Sequence, residues 1–415
     1  MDLRPERLAD RTSRWASWML LLAANVVLAG TFVVQHDARL STIDYGTQWV
    51  AARVVLDGED PYDDATYDAH AAAYDGFEPG HSRHFFHLPN QIGYLLPFGP
   101  LGQGASQIAF FASSLLVLNL ALLYGLRRID VFPAGRRPGG IYFLIFLGLL
   151  FLFRPLWHTL FSGQRSHVAL AALLAYLVHR HHRPGRDSAL RGAVLSVTLV
   201  KANLLLPVYA YVLGRATVER RRRFLLGFAA AALLPVLVAM LWRPSLLLDF
   251  LADDRGYAGR YLNPSFGPFL AFRLDLPLGP TRWLPALVLT ATGALLGFGE
   301  RDDEPDRMRV TERTAMLVAA GLLFAPYVWP YDYVLFFAPF LVLFLGLPPR
   351  GLFDPYRAAL AGWLLLSSAL LSLEYVQWLN TIWFPAASCL LYLVMRREFA
   401  KAPGGGDRAA MRPPG

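Results

Sequence analysis

Uncharged apolar runs of about 17 to 25 residues recur along almost the whole chain, and nothing else in it constrains the fold as strongly. Trp15 to Val34, Ala105 to Leu126, Phe224 to Leu241 and Trp283 to Phe298 are examples. A hydrocarbon core roughly 30 Å thick takes about 20 such residues as a helix. Inside lipid every backbone N–H and C=O must find a partner within the segment, so the runs have to be helices. With 55% hydrophobic and 17% charged residues, the chain is too apolar for a soluble domain. The expected fold class is an all-α polytopic membrane protein with about 10 to 12 spans.

The formal charge of +8 does not point to nucleic acid, because the basic residues sit in short connections between spans and form no basic face. Placement of arginine orients the chain instead. Residues 1–14 carry Arg4, Arg7, Arg11 and Arg14 ahead of a retained first helix, so this end is expected in the cytoplasm. Residues 15–395 then form the transmembrane domain. Segments 35–104 and 242–282 are its two large extracytoplasmic loops, and 396–415, rich in Gly, Pro and Arg, is a disordered cytoplasmic tail. Between Gly192 and Gly214 the only charge is Lys201, one of two lysines in the chain. Both flanks are Arg-rich, which requires either a re-entrant hairpin or two short spans. Cys389, the sole cysteine, excludes an internal disulfide.

The loop at 35–104 is long, polar and acid-rich, and Asp44 lies about ten residues past the first span. Asp44 either caps the helix that follows it or acts as a general base. Tyr45 to Leu56 and Ala65 to Tyr74 are expected to be short helices lying along the interface. His81, His84 and His87 recur every third residue, a spacing that does not converge three nitrogens on one ion, and no Asp-x-Asp pair stands out, so no metal is expected. An ammonium at Lys201 is costly in hydrocarbon and implies a cavity, a partner or snorkelling toward the Arg-rich flank. Arg154, His158, Gln164 and Arg165 flank a small outer turn. Asn263, Trp329, Tyr331 and Asp332 sit at outer span ends, where Trp329 and Tyr331 fit the aromatic belt of a membrane interface and Asp332 could pair with Arg255 or Arg260.

Asp44 after the first span, Leu56-Asp57-Gly58-x-Asp60-Pro61-Tyr62-Asp63, Phe86-His87-Leu88-Pro89 and Pro97-Phe98-Gly99-Pro100-Leu101 follow one another in order. Downstream come Gly163-Gln164, Lys201, Asn263-Pro264-Ser265-Phe266 and Ala325-Pro326-x-x-Trp329 with Tyr331-Asp332-Tyr333. This series resembles glycosyltransferase family 87 over roughly residues 15 to 345. The resemblance implies a GT-C fold and transfer of a sugar, mannose or arabinofuranose, from a polyprenyl-phosphate donor to a glycolipid or cell-envelope glycan at the outer face of the cytoplasmic membrane. It implies Asp44 as the base of an inverting reaction and no cofactor. Arg165, His158, Lys201 and Arg154 are then candidates for the donor phosphate. Tyr45, His87, Gln164, Asn263, Trp329, Tyr331 and Asp332 are candidates for sugar or acceptor. Departures from the family pattern at His87-Leu88, Pro264 and Tyr331-Asp332 bear on which sugar and acceptor are used. The alternative class is a lipid or solute transporter with Lys201 and the outer acids along its path, but no internal repeat supports symmetric halves.

Overall fold

The computed structural model describes residues 5–39, 44–73, 85, 87–128, 139–182, 187–252, 263–299, 307–346, 354–373 and 381–400. Among them the regular structure is helical and contains no strand. In chain order the helices are α1 (Pro5–Arg39), α2 (Asp44–Leu56), α3 (Asp64–Ala72), α4 (Pro89–Leu95), α5 (Gln103–Arg127), α6 (Gly139–Leu152), α7 (Arg154–Phe161), α8 (Ser166–His182) and α9 (Ala189–Val197). There follow α10 (Ala202–Val218), α11 (Arg222–Met240), α12 (Leu246–Ala252), α13 (Phe266–Leu274), α14 (Leu278–Gly299), α15 (Arg307–Phe324), α16 (Phe337–Gly346), α17 (Pro355–Leu373) and α18 (Trp383–Ala400). The last helix runs past Arg396 to Ala400.

Six helical runs are long and apolar enough to cross a membrane, and the bent pair Ile141–Leu152 with Arg154–Phe161, at 57°, makes a seventh. The chain is a polytopic membrane protein, with fewer full-length spans among the described residues than the 10 to 12 counted from apolar runs. The shortfall has physical causes. α8 has 17 residues and ends in His179–His182, and α15 opens on Arg307, Arg309, Glu312 and Arg313. Pro330–Leu345 and Trp383–Arg396 are shorter still. Much of α8 and α16 is buried inside the protein, so neither must present a full lipid-facing length.

Ala189–Val218 is a continuous helical run of 30 residues, which by length alone counts as one crossing. Its geometry is a re-entrant hairpin. Arg191 near its start and Arg215 near its end line the same cavity, whereas a straight helix would separate them by roughly 36 Å. The Thr198 hydroxyl lies 2.8 Å from the Tyr209 hydroxyl across the fold. The turn is the 3-10 segment Thr198–Lys201, where Lys201 has φ −136° and ψ 50°, outside the helical region. The first arm, nine residues of α9, rises only about 14 Å and cannot span. Its base lies against the start of α11, where a Cβ on Gly192 would strike the Phe224 carbonyl. The two Arg-rich flanks therefore lie at one end, and Lys201 stands at the tip.

Two hydrophobic cores result. The larger joins α1, α5, α6, α8, the hairpin and the helices from α15 onward. The smaller lies under the first polar loop and is built from Trp49, Val50, Val54, Tyr62, Tyr67, Phe85, Ile92 and Leu95, with Ala239 and Leu246 beneath. The two helices expected in that loop form within a residue or two of their expected bounds, but α2 does not lie along an interface: Tyr45, Gln48, Trp49, Val50, Ala51, Ala52, Val54 and Val55 are all buried. Its residues are apolar on nearly every side, so it packs as a core helix.

Candidate active site

Four distant stretches of sequence converge in one polar chain of contacts. Asp44 is the first residue of α2, and its Oδ2 accepts a hydrogen bond from Gln164 Nε2 at 2.7 Å. Lys201 Nζ donates to Gln164 Oε1 at 3.0 Å and forms an ion pair with Asp332 Oδ1, also at 3.0 Å. Ser166 Oγ donates to the same Asp332 oxygen, while Asp332 Oδ2 accepts from the Trp329 N–H at 2.9 Å. Lys201 Nζ also sits 4.9 Å from the Tyr331 ring centroid, a cation–π distance, and His158 meets the same ring edge-on at 5.3 Å. The Lys201 and Asp332 side chains are 12% and 1% exposed, so the pair survives burial only because each partner satisfies the other and further hydrogen bonds complete the set.

Local structure places each group. The turn before α8 requires a left-handed residue, supplied by Gly163 at φ 71°. A Cβ there would land on Tyr45 Cβ, so glycine lets α2 close against the turn, and the Tyr45 N–H bonds the Ser162 carbonyl at 3.1 Å. That contact brings Asp44 to Gln164. Pro330 opens a 3-10 turn, Pro330–Phe336, and Asp332 at its third position bonds back to Trp329, fixing the carboxylate toward the hairpin tip. Asn203, just past the tip, donates to the Tyr327 carbonyl at 2.9 Å and ties the hairpin to this turn.

Beside this chain lies a second basic group. Arg165 is buried and donates to both the backbone carbonyl of Gln91, at 3.2 Å, and its side-chain Oε1; Gln91 in turn donates to the Val200 carbonyl at 3.2 Å. Burial lowers the Arg165 guanidinium to about 9, which leaves it charged at neutral pH. His87 is held well below its ordinary value, first by burial and then by the charges of Arg165 and Lys201. It is therefore a neutral imidazole close to both cations, and its carbonyl is fixed by the Tyr62 hydroxyl at 2.9 Å.

Asp44, Gln164, Lys201, Tyr331, Asp332, His158 and Trp329 thus share one site, with Arg165 and His87 beside it. Lys201 turns away from the arginine flank and toward Asp332. Arg255 and Arg260, weighed as partners of Asp332, and His81 and His84 lie outside the described residues. The Tyr45 ring turns away from the site to Ser106 and Phe110. Asn263 is buried, accepting from Ser265 Oγ at 2.8 Å and from the Val328 N–H at 3.4 Å, which steadies the loop leading to Trp329. Arg154 stands exposed at the start of α7, where its N–H meets Ser368. Gln91 and Ser166 were missed in the sequence, although a polar Asn90-Gln91 pair between apolar stretches, and a Ser following Gln164-Arg165, were visible signals. Among the described residues no group of three His, Cys, Asp or Glu side chains is placed to hold a metal ion.

The site combines two carboxylates, an ammonium, a guanidinium, the neutral imidazole of His87 and the ring of His158, a set able to take a proton from a hydroxyl and to receive a phosphate. No curated protein and no solved structure matches the chain. Residues 89–326, more than half of the chain, match the profile of glycosyltransferase family 87, a stretch that contains Gln91, Gln164, Arg165 and Lys201 but neither Asp44 nor Asp332. The chain belongs to glycosyltransferase family 87 and is a membrane glycosyltransferase.

Proposed function

We propose that the protein transfers a sugar, mannose or arabinofuranose by resemblance to its family, from a polyprenyl-phosphate donor to a hydroxyl of a glycolipid or envelope glycan. The acceptor hydroxyl attacks the anomeric carbon as the bond from that carbon to the phosphate oxygen breaks. The bonding pair leaves with the polyprenyl phosphate, the proton passes to Asp44, and the anomeric configuration inverts. The observation that carries this reading is the hydrogen bond from Gln164 to Asp44, itself braced by Lys201, because it holds a carboxylate in one orientation at the mouth of a cationic site. Arg165 and Lys201, with His158 and His87 nearby, supply the charge that stabilises the leaving phosphate. The exposed setting of Arg154 lends that residue less support. Trp329 and Tyr331, whose rings stack at 6.4 Å, offer an apolar face to a sugar ring.

The arginines at the hairpin base support a cytoplasmic setting for that end, and with it an extracytoplasmic Asp44, where the donor's isoprenoid tail would lie between spans. The test is incubation of membranes containing the protein with radiolabelled polyprenyl-phosphate mannose and, separately, arabinofuranose. Label is expected in an acceptor fraction with one of them. Folded protein that transfers from neither donor overturns the donor class.

A further inference from the structure

Gln48 is fully buried on α2, and neither its amide nitrogen nor its amide oxygen meets a hydrogen-bond partner among the described residues. A buried amide left unmet is costly, and native proteins keep few of them without a use. Its place on the helix says where the amide is aimed. At 3.6 residues per turn, Gln48 lies about 40° around the axis from Asp44, on the side of Tyr45 at about 100°. The turn before α8 covers that arc, because Gln164 meets Asp44 and a Cβ on Gly163 would strike Tyr45 Cβ. Helical side chains also lean toward the N-terminus of their helix, which carries the Gln48 amide back toward Asp44. Asp44 itself is partly exposed, so Gln48 lies one turn beneath the mouth of the site.

We propose that Gln48 binds the acceptor, its amide taking a second hydroxyl while Asp44 takes the one that reacts. The inference rests on the transfer reading above and adds a residue to the acceptor's side of it. An amide both donates and accepts, as a hydroxyl does, so the two satisfy each other in either orientation. Residues four apart on a helix have Cβ atoms about 5–6 Å apart, a span that neighbouring hydroxyls of one sugar ring bridge between two side chains. Because no described residue ties the amide down, rotation about its side-chain torsions brings it to the mouth. Being uncharged, Gln48 leaves the phosphate to the cations of the site. The second contact fixes which hydroxyl faces the base.

Gln48→Met, apolar and close in volume, is compared with wild type in membranes supplied with a radiolabelled polyprenyl-phosphate sugar, and by thermal melting of the solubilised full chain. Transfer of label into the glycolipid fraction is expected to fall about tenfold with the donor KM unchanged. The melting temperature is expected to stay the same or rise, because an apolar chain replaces an unmet amide. Gln48→Leu is the second variant should Gln48→Met fail to fold. A lower melting temperature with a matching fall in transfer overturns the proposal, since the amide would then be met inside the fold, as by a buried water. Unchanged transfer also overturns it, and so does a rise in donor KM alone, which makes Gln48 a donor contact. Folded wild type that transfers from no such donor overturns the transfer reading and this inference with it, whereas a failure confined to the variants leaves that reading standing.

Discussion

The tip and the base of the α9–α10 hairpin hold their ion pairs in different ways. At the tip, Lys201 is matched by Asp332 and braced by Gln164, and Ser166 and the Trp329 N–H complete the carboxylate's hydrogen bonds. At the base, Glu219 pairs with Arg215 and Arg221 beside Arg180 and Arg191. A balanced set can be held inside a protein as a rigid frame, because each group's lost hydration is replaced by a fixed partner. At the base the Glu219 carboxylate is 22% exposed, so water shares in holding its charge. The tip is thus arranged to hold Asp44 in place, and the base to tie the end of α10 to the start of α11.

Substitutions that disturb the balance distinguish the two ends. Asp332→Ala leaves an ammonium buried without its carboxylate, and we expect a loss of roughly 3–5 kcal/mol in thermal unfolding of the detergent-solubilised protein. Adding Lys201→Met should recover most of that loss. The same deletion at the base, Glu219→Ala, should cost only about 1 kcal/mol, since that side chain is 22% exposed and Arg215 and Arg221 keep further interactions. Equal losses at the two ends would erase the contrast.

Gly163→Ala comes next. It forces a side chain into a left-handed backbone and against Tyr45, so a loss of roughly 1–3 kcal/mol is expected, with a fall in transfer as α2 moves away from Gln164. Unchanged melting and activity would mean that the turn does not set the position of Asp44. Gln164→Leu should lower kcat about tenfold with little change in KM. Removing a donor to the ionised carboxylate should also move the acidic limb of the rate–pH profile to higher pH. A rise in KM alone would instead make Gln164 a substrate contact.

The smallest effect is expected at His87. The native imidazole stays neutral, whereas the unfolded one takes up a proton near 6.5, so below that pH the unfolded state binds more protons. The stability this group contributes is fully present above 6.5 and is lost as pH falls. His87→Gln should flatten that acid-side decline by about 1 kcal/mol one pH unit below 6.5. An unchanged decline would show that His87 is already protonated in the fold.

Much of this was readable in the sequence because apolar length and charge placement act locally. The spans, the two short helices after Asp44 and the anomaly of Lys201 all follow from such signals. The partnership of Lys201 with Asp332 does not, because 130 residues separate them and either could have been met by another ion; only the fold of the hairpin chooses. The burial of α2 was hidden because Trp49, Ala52, the Arg53 stem and Leu56 suggest a single apolar face within an acid-rich loop, while tertiary packing encloses nearly every side. The hairpin itself was legible as a contradiction, two Arg-rich flanks around one apolar run, which geometry resolves.

The central claim is that the carboxylate at the start of α2 takes the acceptor's proton. Its most direct test compares wild type with Asp44→Asn in the same membranes, supplied with a labelled polyprenyl-phosphate sugar that wild type uses. The account predicts a fall in transfer of about 100-fold or more at an unchanged melting temperature. Full transfer by the folded Asp44→Asn protein would contradict it.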